Sequence, residues 1–130
     1  RRLMIVSWAK APVTKPAKRK GYSVLAEEFT YYSERIGGGV SIMPAFEFDW
    51  DSVPRLPIVY LVFKGRARVA ALIHDDLYFR QPVSRRVADL VFLDAMTAEK
   101  IPFYFRWPKY LGVRIGGWLG WRRNKRSQRA

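Results

Sequence analysis

The chain has 130 residues, 49% of them apolar and 15% aromatic, with a formal net charge of +13 and no cysteine. That length supplies one hydrophobic core and not two, and the lack of cysteine excludes disulfide frameworks, thiolate metal sites and thiol hydrolases. No run of about 18 uncharged apolar residues offers a membrane-spanning helix, and the apolar run after Arg1-Arg2 is too brief for a secretory signal.

In chain order, residues 1–21 read as a basic, extended arm. Pro12 and Pro16 stand among basic residues and Gly21 ends the stretch. From Tyr22 to Ser33, β-branched and aromatic residues predict a strand, and Gly37-Gly38-Gly39 predicts the tip of a β-hairpin that returns through Ser41-Ile42-Met43. Alternation of Phe46, Phe48 and Trp50 with Glu47, Asp49 and Asp51 predicts a short strand running into a loop fixed by Pro54 and Pro57. Residues 66–79 place Val69, Ala70, Ile73 and Leu77 on one helical face. Residues 84–100 do the same with Val87, Leu90, Val91 and Leu93, behind Ser84 as N-cap. After Pro102, residues 107–121 read as a last helix with Pro108 near its start. Gly112, Gly116 and Gly120 fall four apart on it, a stripe suited to close packing. The expected fold is α+β: an N-terminal β-hairpin or small antiparallel sheet on a helical hairpin, plus a C-terminal helix. One domain covers residues 22–121, and residues 122–130 form a basic tail.

The charge is polarised. Residues 1–20 carry seven basic residues and residues 106–130 carry eight, with no acid in either; the stretch between has nine basic against eleven acidic. Lys15, Lys18, Arg19 and Lys20, with Arg122, Arg123, Lys125 and Arg126, are the expected anion-binding residues. Acidic protein surfaces, nucleic acid and anionic lipid all satisfy such ends. Trp118 and Trp121 beside arginines suit a partner-docking or membrane-interface face.

The segments MPAFEFDWDSVPR, VAALIHDDLY, SRRVADLVFLDAM and KYLGVRIGGW, in that order, resemble a domain-of-unknown-function family of tailed phages and prophages. Its motifs run close to VPAGFxTDFASVPR and AAVLHDxLY, followed by a helix with Ala-Asp and Ala-Met. The likeness spans residues 22–118. It maps the family's aspartate onto Asp49, its Ser-Val-Pro-Arg onto Ser52 to Arg55, its His-Asp onto His74 and Asp75, and its Ala-Asp onto Ala88 and Asp89. Ala45, Phe48 and Asp51 depart from the family's glycine, threonine and small residue. The resemblance implies a phage context, with the protein in the virion and, during assembly, in the host cytoplasm. It brings no activity with it.

His74 is the only histidine, and Asp75 and Asp76 follow it on an apolar helix. Two readings stand side by side. In one, His74 with Asp49 or Asp75 activates water or Ser52, and Arg55 steadies an anionic transition state. In the other, Asp49, Arg55, His74, Arg86 and Asp89 form a buried network tying the loop to the helix pair, with Arg85 or Arg86 paired to Asp89 along one face. A single imidazole is too few for a zinc peptidase; no cofactor is expected, and a carboxylate-bound magnesium or calcium ion stays open. The leading expectation is a virion-associated structural or interaction protein of the tail, baseplate or neck. It would sit in a homo- or hetero-oligomeric assembly, its basic ends on acidic surfaces of neighbouring virion proteins. The alternatives are a His/Asp hydrolase of the bacterial cell wall and a non-specific nucleic-acid-binding protein.

Overall fold

A computed structural model of the chain describes residues 6–18, 22–49 and 68–129. Among these residues the architecture is α+β, with two small antiparallel sheets followed by four helices. The strands are β1 (Val6–Ser7), β2 (Thr14–Pro16), β3 (Tyr22–Leu25), β4 (Phe29–Ser33), β5 (Gly38–Ile42) and β6 (Glu47–Asp49). The helices are α1 (Arg68–Arg80), α2 (Arg85–Ala98), α3 (Phe103–Gly116) and α4 (Trp118–Arg129).

One sheet has the order β1-β4-β5 and the other β2-β3-β6. β4 follows the two-residue period of a half-buried strand: Phe29, Tyr31 and Ser33 face the core while Thr30 and Tyr32 face out. It returns as β5 through a turn in which Gly37 takes φ 94°, a conformation natural to glycine. Arg35 in that turn grips the buried Asp94 of α2, with Nε donating to Oδ2 at 2.5 Å, so the hairpin tip is fastened to the helices. The expected single strand over residues 22–33 is divided between the sheets, since β3 pairs with β2 and β6 while β4 pairs with β1 and β5.

The N-terminal segment is more than an arm. Val6 is buried and pairs with Ser33, and Thr14 to Pro16 pair with Leu25 to Ser23. Pro16 is tolerated because β2 lies at the sheet edge, where a missing N–H costs no ladder bond.

The core joins Val6, Leu25, Phe29, Tyr31 and Ile42 from the sheets to Leu72, Ile73, Leu77, Val91, Phe92 and Met96 from α1 and α2. Every residue of α1 from Ala70 to Tyr78 except Asp75 is buried, so its polar members need partners inside the protein. Asp76 has one in Arg80, which donates from Nε at 2.9 Å and from Nη2 at 2.5 Å. Burial raises the Asp76 pKa and the Arg80 guanidinium pulls it back, with a net rise.

Ser84 caps α2 as expected, its Oγ accepting the Val87 N–H at 3.3 Å. α1 is capped from a distance. Glu99, just past α2, accepts the N–H groups of Val69 at 3.1 Å and Ala70 at 2.9 Å. A carboxylate on those orphan donors also complements the positive end of the helix dipole. α2 closes with Lys100 at φ 63°, and Ile101 N–H bonds the Met96 carbonyl in the manner of a Schellman cap.

The C-terminal part differs most from expectation. α3 starts at Phe103, and Pro108 sits within it rather than at its start. The amide bond that Pro108 forgoes is the one to the Tyr104 carbonyl, and both residues are exposed. Residues 122–129, expected as a tail, continue α4. Gly117 joins the two helices with φ −74° and ψ −16°, so the helical path carries on through it.

Glu99→Ala, which leaves two N–H groups of α1 without their acceptor, is expected to destabilise the fold by about 2 kcal/mol. Glu99→Gln is expected to retain part of that. Urea denaturation of the three proteins tests the assignment.

Candidate functional site

The site is built on α1, α2 and α3 around Asp89, which is 0% exposed. Oδ1 accepts from His74 Nε2 at 2.8 Å and from the Tyr78 hydroxyl at 2.7 Å. Oδ2 accepts from Arg114 Nη1 at 2.7 Å, and Arg85 Nη1 stands 3.5 Å away. His74 and Tyr78 lie one turn apart on α1, while Arg85 lies one turn before Asp89 on α2. Helical spacing therefore stacks each pair on one face. Arg85 also donates to the backbone carbonyls of Val113 and Arg114, which pins α3 to the same centre.

Burial works to raise the Asp89 pKa, but the hydrogen bonds from His74, Tyr78 and Arg114 outweigh it and hold the carboxyl below its ordinary range. Tyr78 moves the other way: burial, then its hydrogen bond to Asp89, raises its pKa and keeps the phenol protonated. The imidazole of His74 lies between Tyr78 and Phe92, with ring centroids 4.3 and 4.6 Å away. Trp121 of α4 meets Tyr78 edge-on at 5.1 Å. Gly117 is what admits this packing, since a Cβ there would lie 2.5 Å from the Tyr78 hydroxyl oxygen.

Among the described residues, the one hydrogen bond of His74 is that of Nε2 to Asp89. Asp89 therefore fixes the neutral ring with its proton on Nε2, and Nδ1 is the nitrogen left with a lone pair. His74 lines a groove of about 680 Å³ between α1 and the α3–α4 segment, together with Asp75, Leu119, Arg123 and the glycine stripe. The stripe does not serve the close packing expected of it at Gly116 and Gly120, where an added Cβ would meet nothing within 4 Å. Those glycines leave the groove open instead.

The sequence-derived candidates divide. His74 and Asp89 meet, and Asp75 lies on the groove wall. Arg86 is exposed and takes no part, because the residue four before Asp89, and so on its face, is Arg85. Asp49 lies in β6 in register with Tyr22, and β6 runs beside α1. Ser52 and Arg55 lie outside the described residues. Tyr78 and Arg114 were missed: the first reads as the tyrosine of a helical motif, the second as one of the eight basic residues of 106–130. No group of three or more potential metal ligands occurs among the described residues. Lys15, Lys18, Arg122, Arg123 and Lys125 are exposed, as anion binding requires, while Arg19 and Lys20 lie outside the described residues and Arg126 is in α4.

Fold and site together define a small α+β protein whose helices converge on a buried carboxylate with three hydrogen-bond donors and an oriented histidine among them. Residues 23–113 match the family described as protein of unknown function (DUF1353), and the chain belongs to that family. The matched region runs from β3 to one residue short of Arg114, so it holds His74, Tyr78, Arg85 and Asp89. No curated protein and no solved structure matches the chain.

Asp89→Asn leaves Arg114, Arg85 and His74 facing a neutral group in a buried setting. It is expected to cost about 3–5 kcal/mol at pH 7. Since the folded pKa of Asp89 is depressed, the contribution is complete above the ordinary aspartate value of about 3.9 and is lost as pH falls through the lower folded value. The stability difference between parent and variant should therefore shrink on acidification below about pH 4, which denaturant titrations across that range would reveal.

Proposed function

We propose that this protein is a hydrolase in which His74 is the general base. The observation that carries the reading is the imidazole itself, 3% exposed, held through Nε2 by a buried carboxylate and lining an open groove. A histidine serving packing alone has no need of a groove beside it.

In this reading Asp89 orients the ring and stabilises the imidazolium that forms when Nδ1 takes a proton from water. Tyr78, Arg85 and Arg114 keep Asp89 ionised for that task. Arg123, exposed on the groove wall, is the cation among the groove-lining residues that would serve an oxyanion. Water is the nucleophile among the described groups, and Asp75 offers a carboxylate where a divalent ion would assist.

A second reading is favoured by a separate observation. The acid-free stretch 106–130 and the exposed aromatic residues of α3 suit a virion-associated structural protein that docks on acidic neighbours. The phage and prophage likeness supports a virion setting for either reading.

Because His74 is the only histidine, its ring nitrogens give one set of NMR signals. The neutral ring is expected as the Nε2–H tautomer. With calcium and magnesium present, the parent should cleave p-nitrophenyl butyrate or purified cell wall. His74→Ala should remain folded and lose on the order of 100-fold or more in rate. A parent that cleaves neither, or a folded His74→Ala with undiminished rate, leaves the assembly reading in place.

A further inference from the structure

The groove does not open onto an ordinary polar surface. Tyr104, Trp107, Leu111, Ile115 and Trp118 are all exposed, Ile115 by 77%. At about 100° per residue their side chains fall within an arc of about 80° along α3 and into α4. The same arc continues into Arg122 and Lys125, and the Arg122 guanidinium lies 5.5 Å from the centre of the Trp118 ring. Leu119 stands between this stripe and the glycines, Arg123 falls among the glycines, and both line the His74 groove. Stripe and groove are thus adjoining faces of one helical segment, and from residue 106 to the end that segment has eight basic residues and no acidic one.

We infer that this face lies on an anionic membrane surface and that the groove takes an acyl ester of the lipids found there. An apolar, tryptophan-bearing ridge rimmed by arginine and lysine has the chemistry of a helix seated at the level of lipid headgroups. A second copy of the chain is a poor occupant, because it would set two acid-free cationic segments against each other. Binding of the ridge brings the groove mouth, between Leu119 and Arg123, to the depth of the lipid esters. Arg123 there meets the phosphate or the ester oxyanion, and the acyl chain runs over Leu119 and the glycine floor.

This substrate assignment rests on the hydrolase reading. His74 Nδ1 takes one proton from water, and the hydroxide oxygen bonds to the ester carbonyl carbon. The bond from that carbon to the alkoxy oxygen breaks, and the imidazolium returns the proton to the departing oxygen. One water is consumed, and one fatty acid and one lysolipid are released.

The test uses the full chain with vesicles of mixed phosphatidylglycerol and phosphatidylcholine, and with phosphatidylcholine alone, in buffer containing calcium. The parent is expected to sediment with the anionic vesicles at least tenfold more strongly and to release fatty acid from them. The double variant Leu111→Glu, Ile115→Glu alters two exposed positions. It should lose binding and fatty-acid release at least tenfold while cleaving p-nitrophenyl butyrate as the parent does. Gly116→Leu, which fills the groove at a position with free space and replaces a helix-weakening glycine, should keep vesicle binding and lose cleavage. If the soluble ester is cleaved but anionic vesicles are neither bound nor hydrolysed, or if the double variant releases fatty acid like the parent, the lipid assignment falls and the hydrolase reading survives. If the parent cleaves neither ester, both fall, whatever the vesicles bind.

Discussion

The Asp89 carboxylate is the constraint on which the helical part of this protein depends. An ionised carboxyl with no solvent contact costs several kcal/mol unless charged and hydrogen-bonding partners surround it. Its partners come from three elements: His74 and Tyr78 from α1, Arg85 from α2 and Arg114 from α3. A misplaced α1 leaves Oδ1 without a donor, and a misplaced α3 strips Oδ2 of its nearest one. Apolar packing of Leu72, Ile73, Val91 and Phe92 tolerates a range of helix offsets. A carboxylate with three fixed donors and a fourth group, Arg85, paired to it by charge does not, so the network selects one arrangement among those the core would accept.

That selection explains what was readable in the sequence. The helical hairpin was legible because Val69, Ala70, Ile73 and Leu77 keep helical spacing and Ser84 is a strong cap. The β4–β5 hairpin was legible from strand alternation and its glycines. His74 and Asp89 were found through their place in the motifs, whereas Tyr78 and Arg114 were not, since partnership across elements leaves no local pattern. The same holds for Glu99, whose target N–H groups are some 30 residues away in sequence. Arg86 was chosen over Arg85 in the expected network because either is within one helical turn of Asp89, and only the packed structure separates three residues from four.

The N-terminal and C-terminal segments misled for a common reason. Residues 1–21 read as an extended basic arm and residues 122–130 as a basic tail, yet charge and proline content say little about backbone state. β1 and β2 need only a few residues in register with β4 and β3, and Val6 alone supplies the apolar anchor of β1. α4 keeps its helical path because Trp121 packs on Tyr78 and the Gln81 side chain donates to the Trp121 carbonyl at 2.8 Å. Arg122, Arg123 and Lys125 project from that scaffold, which makes them a surface of fixed geometry and not a diffuse cloud.

The two readings of the His/Asp set are therefore not exclusive. A general base of this kind requires the network that a structural account would invoke: a carboxylate kept ionised, a ring held in one tautomer, and neighbours rigid enough to maintain both. What separates a working imidazole from a packed one is the fate of the second nitrogen. Here Nε2 is committed to Asp89, Phe92 and Tyr78 hold the ring, and the glycines at 116 and 120 keep the space before the groove wall unfilled. Alanine at those two positions would strengthen the helix, and its Cβ would meet nothing within 4 Å. Helix stability alone therefore gives no account of glycine there, whereas access to His74 does.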